Sequence, residues 1–244
     1  MTQTIKQLSF GKLMLFAFLP AILLLGGFIA SVGLRDTIPP FMSFMILALV
    51  VLVPVEIGII MAYSKKETGK ANLSSAFADH ATLPFGKIVL YSIIPFFIAL
   101  IIFAVLSPYE NEFLLSSVFK WVPSYFLISD FFTKQLSAYP PHIITISLVL
   151  AFAANGLVAP IAEELFFRGF LMPRISRFGK WVPLIITVLF SLYHLFSPWE
   201  NLTRILAIYP LTYAVWKKKN IYIGMLIHCC LNIGSMVMAV ILFL

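Results

Sequence analysis

Residues 13–34 of the chain read LMLFAFLPAILLLGGFIASVGL, a run of 22 residues without a charged side chain. A helix that crosses the hydrocarbon core of a bilayer needs about 20 largely apolar residues. Lys6 and Lys12 precede this run, which is too long for the core of a signal peptide and ends without a convincing cleavage site. The run therefore predicts an uncleaved first membrane span.

Similar apolar runs follow along the rest of the chain, joined by short polar segments. Of the 244 residues, 61% are hydrophobic and 11% are charged, and the mean hydropathy of +1.01 is far above that of a soluble domain. The candidate spans are 13–34, 41–63, 88–106, 143–173, 181–197, 202–216 and 221–243. The sequence predicts an all-α fold, a polytopic transmembrane helical bundle that forms a single membrane domain over residues 1–244.

Segment 107–142 leaves the number of spans open between seven and eight. The stretch 113–132 is aromatic and apolar, yet Lys120, Pro123 and Asp130 interrupt it. These interruptions favour an interfacial or re-entrant piece over a full span. We therefore expect about seven spans.

The basic residues support seven spans and a cytoplasmic N-terminus. Twelve of the seventeen then lie on the inner side: Lys6, Lys12, Lys65, Lys66, Lys70, Lys87, Arg174, Arg177, Lys180, Lys217, Lys218 and Lys219. The outer side receives Arg35, Lys120, Lys134 and Arg204, and Arg168 lies within a span. This distribution follows the positive-inside rule. Because the basic clusters border apolar runs, the formal charge of +7 indicates contact with the lipid bilayer and no nucleic-acid partner.

Polar side chains inside apolar spans are costly unless they are satisfied, so each is a functional candidate. The fourth span contains two adjacent acids, Glu163 and Glu164, followed by Arg168. Glu164 and Arg168 share one helical face and predict an ion pair. Glu163 points about 100° away from that face and stays free to take or give a proton. The alternative is that these residues only hold helices together.

Two further spans supply histidines and an asparagine. His194, four residues after Phe190, can be a packed residue, a proton shuttle or a ligand. His228 and Asn232 lie four apart on one face and can donate to a common point, as an oxyanion site requires, or link helices. At 1.5 Å per residue from the predicted cytoplasmic helix ends, these three and Glu163 lie roughly 10–20 Å deep, so they can share one layer.

Three short motifs thus follow one another in apolar helices, Glu163-Glu164-x-x-x-Arg168, Phe190-x-x-x-His194 and His228-x-x-x-Asn232. In the same order, they resemble the motifs of the CAAX protease and bacteriocin-processing (CPBP, or Abi) intramembrane peptidases. That family is related to the type II CAAX prenyl endopeptidases. The resemblance covers roughly residues 145–240, and the N-terminal half offers no comparable motif.

The resemblance implies that the protein hydrolyses a peptide bond within the membrane. Glu163 and His194 would activate water, and His228 with Asn232 would hold the developing oxyanion. The supporting residues around these four would be Glu164, Arg168 and Phe190. The substrate would be a peptide or protein, either lipidated or amphipathic, that enters from the membrane.

Metal dependence is open, because members of this family have often been labelled metalloproteases. Zinc would use Glu163, His194 and His228 as ligands, but the sequence has no helical HExxH pair. A metal-free glutamate mechanism without a cofactor is therefore favoured, with zinc as the alternative.

The biological setting leaves further alternatives open. A compact chain of this kind looks like the prokaryotic members, associated with bacteriocin processing, self-immunity or peptide-signal processing, and this implies a prokaryotic plasma membrane. A non-catalytic immunity or scaffold protein would keep the fold without the reaction. A proton-coupled carrier would also use buried acids and histidines, although the chain shows no evident internal repeat.

Overall fold

The computed structural model describes residues 5–127 and 138–243, and within these ranges it contains helices and no strand. Its long helices are α1 (Phe10–Ser31), α2 (Pro40–Thr68), α3 (Phe85–Ser116), α4 (141–171), α5 (Val182–Tyr193), α6 (Asn201–Lys218) and α7 (Ile221–Phe243). A 3₁₀-helical stretch, Met172–Trp181, joins α4 to α5. The prediction of an all-α polytopic bundle is confirmed.

Local sequence explains several of the helix ends. The Ser9 hydroxyl accepts a hydrogen bond from the Lys12 amide at the start of α1. Pro40 and Pro141 occupy the first position of α2 and α4, where the missing amide proton costs nothing. Gly69 ends α2 in the left-handed conformation, with φ 79°, and its amide donates to the Lys65 carbonyl.

Within the described part of the chain, five helical stretches are long and apolar enough to cross a membrane: Phe10–Leu34, Pro40–Thr68, Phe85–Ser116, Pro141–Tyr193 and Ile221–Ile241. Pro141–Tyr193 changes direction at Ile175 and Gly179, whose backbone angles are not helical, so it contains both α4 and α5. Helix α6 has three basic residues in 18, which lowers its apolar character. The protein is thus an integral membrane protein, and the count of seven spans stays a prediction.

Most of the basic residues lie at one end of the bundle. The amide of Leu8, just before α1, donates to the carbonyl of Arg174, just after α4. The Arg174 guanidinium pairs with Glu67 near the end of α2 at 2.7 Å. Lys219, which ends α6, pairs with Asp79 in the segment before α3 at 2.8 Å. The clusters that the charge pattern assigns to the inner side therefore share one end.

The connection from α3 to α4 begins and ends at the opposite end of the bundle. Tyr139, just before α4, donates a hydrogen bond to the Arg35 carbonyl, just after α1. Glu110 of α3 accepts hydrogen bonds from the Leu202 and Thr203 amides at the start of α6. The described residues on the two sides of this connection therefore lie at the same end of the bundle, and the rejection of a span at 113–132 stays a prediction. Asp130, Phe132 and Lys134 lie outside the described residues.

Two helix ends differ from the bounds of the predicted spans. The third span was predicted as 88–106, but α3 continues through Ser116, with Pro95 and Pro108 accommodated inside it. The fifth was predicted as 181–197, but α5 ends at Tyr193 and the chain turns from His194. Non-helical backbone at membrane depth is tolerated where it lines a cavity or is buried in protein. The turn after α5 meets that condition, because it lines the cavity described below.

Candidate active site

The two adjacent acids of α4 lie at the junction between the α-helical stretch Ala159–Glu163 and the π-helical stretch Glu164–Leu171. An extra residue in a helical turn re-aims the side chains around it, and such insertions are frequent at functional sites. Glu164 and Arg168 form the ion pair that their spacing predicts, with an Oε1–Nη1 distance of 3.0 Å and both side chains fully buried. Glu163 points elsewhere.

Arg168 links α4 to the two helices beside it. Its Nη2 donates to the Thr212 hydroxyl of α6 at 3.1 Å, and its guanidinium lies 4.2 Å from the centre of the Phe190 ring of α5. Removing one partner of a buried ion pair leaves an uncompensated charge and costs about 3–5 kcal/mol. The Glu164–Arg168 pair therefore fixes the position of the acidic segment.

His228 of α7 lies between the two carboxyl groups. Its Nδ1 is 3.1 Å from Oε1 of Glu164, and its Nε2 is 3.7 Å from Oε2 of Glu163. Gly224, one turn earlier, allows this approach, because a Cβ there would overlap the Glu164 carboxylate. Glu164 thus serves two partners, Arg168 and His228, whereas its sequence position indicated only the first.

Glu163 faces the hydrogen-bonding groups of two other helices. In addition to His228, it has the hydroxyl of Tyr193, the last residue of α5, 3.4 Å from its Oε1. Its exposed fraction is 7%. The carboxyl group is thus largely buried, and it forms no ion pair with a guanidinium of the described residues.

His194 directly follows α5, and its ring is oriented by a backbone group. Nδ1 lies 2.8 Å from the Phe190 carbonyl oxygen, which can only accept a hydrogen bond. Nδ1 therefore carries the proton in the neutral ring, and Nε2 keeps a lone pair. The ring also packs edge-on against Phe190, with centroids 4.8 Å apart. His194 is in this way arranged as a hydrogen-bond acceptor.

Asn232 is held by the other π-helical stretch of α4, Phe152–Val158. Its Nδ2 donates to the Asn155 carbonyl at 2.8 Å. An amide nitrogen has two protons, so one remains for another acceptor. His228 and Asn232 each offer a side-chain nitrogen on the same side of α7, as their spacing of four residues predicts.

The four motif residues that we predict to act on substrate line one cavity of about 780 Å³. They are Glu163 of α4, His194 after α5, and His228 and Asn232 of α7. The prediction that they can share one layer is thus compatible with the structure. Their neighbours Glu164 and Arg168 do not line the cavity. Much of the opposite wall is apolar and comes from α1, α2 and α3, with Leu24, Phe44, Leu52, Phe96 and Phe103 among its residues.

Three further buried polar residues lie near these four, and the sequence motifs do not predict them as part of the site. Glu56 of α2 is fully buried and its Oε1 lies 2.8 Å from the Tyr193 hydroxyl. Arg204, predicted to be on the outer side, is 6% exposed, pairs with Glu200 at 2.8 Å and lines the cavity. A lone acid in an apolar run was a usable signal for Glu56. The sequence gives no such signal for Tyr193, because the role of its hydroxyl depends on the acids that pack beside it.

The zinc alternative requires Glu163, His194 and His228 to converge on one point. Within residues 5–127 and 138–243, no three His, Cys, Asp or Glu side chains are arranged so that they could hold a metal ion. Nδ1 of each histidine contacts the Phe190 carbonyl or the Glu164 carboxylate, so a metal would have to use Nε2 of each ring together with Glu163. As they stand, these donors do not fit a zinc ion.

Comparison with known proteins locates the family signal in the C-terminal half. Residues 145–234 match the family model described as type II CAAX prenyl endopeptidase, Rce1-like. The match covers somewhat more than a third of the chain and includes all four motif residues that line the cavity. No curated protein and no solved structure matches the chain. The predicted resemblance to the CPBP intramembrane peptidases is confirmed over these residues, and it supports a CAAX-type intramembrane endopeptidase.

Proposed function

We propose that the protein is an intramembrane endopeptidase in which Glu163 and His194 activate the water that attacks a peptide bond. The observation that carries the proposal is the position of the four motif residues on the wall of one largely apolar cavity. Three helices that are separate in sequence bring an acid, two imidazoles and a carboxamide to it. A reaction that adds water to a carbonyl needs this set of proton acceptors and hydrogen-bond donors.

The proton acceptors are Glu163 and His194. The Glu163 carboxylate faces the cavity without a guanidinium partner, so it can take a proton from water as the water oxygen bonds to the carbonyl carbon. The Nε2 lone pair of His194 can accept the other hydrogen bond of that water, since Nδ1 is held by Phe190. When the carbon–nitrogen bond breaks, the proton on Glu163 passes to the leaving nitrogen.

The oxyanion donors are His228 and Asn232. Nδ1 of His228 lies 3.1 Å from the Glu164 carboxylate and Nε2 faces Glu163 and the cavity, where an Nε2–H would donate to the oxyanion. Asn232 adds the amide proton that Asn155 does not use. Donors fixed in advance stabilise the charge that develops on the carbonyl oxygen without having to reorganise.

The cavity supports a peptide or protein substrate with apolar side chains or a lipid group next to the cleaved bond. Its apolar wall comes from α1, α2 and α3, and a volume of about 780 Å³ accommodates several side chains. We further propose a cytoplasmic N-terminus in a prokaryotic plasma membrane. The basic residues gathered at one end of the bundle support this orientation.

The direct test is peptide cleavage by the purified protein in liposomes, with a mixed peptide library as the substrate and mass spectrometry as the readout. We expect Glu163→Gln to abolish cleavage, because the amide keeps the shape of the side chain but cannot take a proton. Glu112→Gln, the same change at an exposed position of α3, is the matched control and should cleave like the wild type.

Both variants should be extracted and elute from size exclusion like the wild type, which separates chemistry from folding. Equal cleavage by Glu163→Gln and the wild type would remove the proposed base. Absence of any cleaved peptide with the wild-type protein, across libraries with and without lipid groups, would instead favour the non-catalytic immunity or scaffold alternative.

A further inference from the structure

Glu56 is a buried acid outside the segment that matches the family model. It lies near the middle of α2, is fully buried, and comes from a stretch of sequence without a motif. Among the residues that the structure describes, its Oε1 meets the Tyr193 hydroxyl at 2.8 Å and its Oε2 has no hydrogen-bond partner. A carboxylate with so little compensation in an apolar surrounding is strongly disfavoured.

Tyr193 connects this acid to the proposed base. Its hydroxyl oxygen lies 2.8 Å from Glu56 and 3.4 Å from Glu163, while its ring is fixed by an edge-on contact with Phe167 at 5.0 Å. A hydroxyl has one proton to donate, so it cannot donate to both acids at once. For both hydrogen bonds to exist, one of the two carboxyl groups must itself be protonated and donate to the tyrosine oxygen.

The surroundings of the two acids decide which one holds that proton. Glu163 lies beside His228, whose Nε2 is 3.7 Å away, and it borders the cavity, so a negative charge there has compensation. Glu56 has neither. Counted together, the carboxyl groups of Glu56, Glu163 and Glu164 face two basic groups, Arg168 and His228. The acids thus outnumber the basic groups of the cluster, which favours a proton on one of the acids.

We propose that Glu56 is a positioning residue for the reaction: as a neutral acid it donates to Tyr193, so that the tyrosine proton points at Glu163 and orients its carboxylate. The inference rests on the proposed function, since it concerns the same base. It assigns a role to the N-terminal half that the family match does not reach. Glu56 itself does not touch the substrate in this arrangement.

The test measures kcat and KM of Glu56 and Tyr193 variants with a fluorogenic version of the peptide that the wild type cleaves best. Glu56→Leu should lower kcat about 10- to 100-fold, the scale of a small misplacement of a catalytic group, and leave KM unchanged. Leucine is suited to the site because an apolar replacement of a buried acid does not threaten folding. Glu56→Gln should keep kcat within a few-fold of the wild type, because its amide can still donate to Tyr193.

A double-mutant cycle separates positioning from general support of the fold. Tyr193→Phe should also lower kcat, and adding Glu56→Leu to it should cause no further loss, because Glu56 acts through the hydroxyl that is already gone. Ser64→Ala is the matched control: Ser64 is buried in the same helix, bonds to Asn72 and Ser74, and should leave kcat unchanged.

Full kcat in Glu56→Leu, equal losses in the glutamine and leucine variants, or additive losses in the double variant would each overturn the inference while the wild type stays active. A wild-type protein that cleaves no peptide would overturn the proposed function, and the role of Glu56 with it. The two failures are therefore distinguishable in one set of proteins.

Discussion

The two halves of the bundle contribute different things to the same cavity. Helices α4–α7 carry the three motifs and the family match at 145–234, and they supply the four polar residues that line the cavity. Helices α1–α3 carry no motif, yet they supply much of the apolar wall and the buried acid Glu56. Polar groups that act on a bond require fixed spacing within a helix, whereas an apolar wall can be built from many side chains. The family match therefore identifies the helices that carry the polar residues more clearly than the helices that form the apolar wall.

Among the variants that compare the two halves, we expect the largest loss of activity in the C-terminal half, at Asn232. Asn232→Ala should lower kcat roughly 100- to 1,000-fold with little change in KM, because an oxyanion donor acts mainly in the transition state. Steady-state kinetics with the fluorogenic peptide measure both constants. A rise in KM with unchanged kcat would instead place Asn232 among the residues that bind the ground state.

A smaller effect of the opposite kind is expected in the N-terminal half, at Phe103 of the cavity wall. Phe103→Ala should raise KM about tenfold and leave kcat nearly unchanged, since it removes apolar contact area that binds substrate and transition state equally. Phe113→Ala is the control on the same helix, because Phe113 is 67% exposed and does not line the cavity. If Phe103→Ala lowered kcat as much as Asn232→Ala, the N-terminal half would contribute to the chemical step as well as to substrate binding.

No effect is expected from removing metal ions. Prolonged exposure to a chelator should leave turnover unchanged, and the active protein should contain substoichiometric zinc, because no three His, Cys, Asp or Glu side chains of the described residues are arranged so that they could hold a metal ion. Metal analysis of the purified protein and activity before and after chelation decide the point. Stoichiometric zinc whose removal abolishes turnover, and whose return restores it, would establish the zinc alternative and keep the peptidase assignment.

The features of the fold that depend on one helix at a time could be predicted well from the sequence. Apolar runs gave the helices, and the basic clusters that they border lie at one end of the structure, because both depend on the solvent around each residue. The ends of α3 and α5 were predicted less well. Pro108 is accommodated inside a helix that continues to Ser116, and the turn at His194 is buried against the cavity, so packing decides both boundaries.

The candidate site divides in the same way. The Glu164–Arg168 pair and the shared face of His228 and Asn232 could be predicted, because residues four apart on a helix are neighbours in any fold. The contact between His228 and Glu164 could not, since it joins residues 64 positions apart. Arg204 pairs with Glu200, four positions before it, by the same rule, but its place in the cavity wall depends on packing.

The sequence by itself thus determined that the protein is a helical membrane bundle and which helices carry polar groups suited to hydrolysis, because hydropathy and helical spacing are local properties. Only the tertiary structure decided which of those groups meet. It placed His228 between two carboxyl groups, turned the chain at His194 to line a cavity, and brought Glu56 to Tyr193 across 137 positions of sequence. A buried polar group takes its partner from whichever helix packs beside it, and that neighbour is set by the packing of the whole bundle.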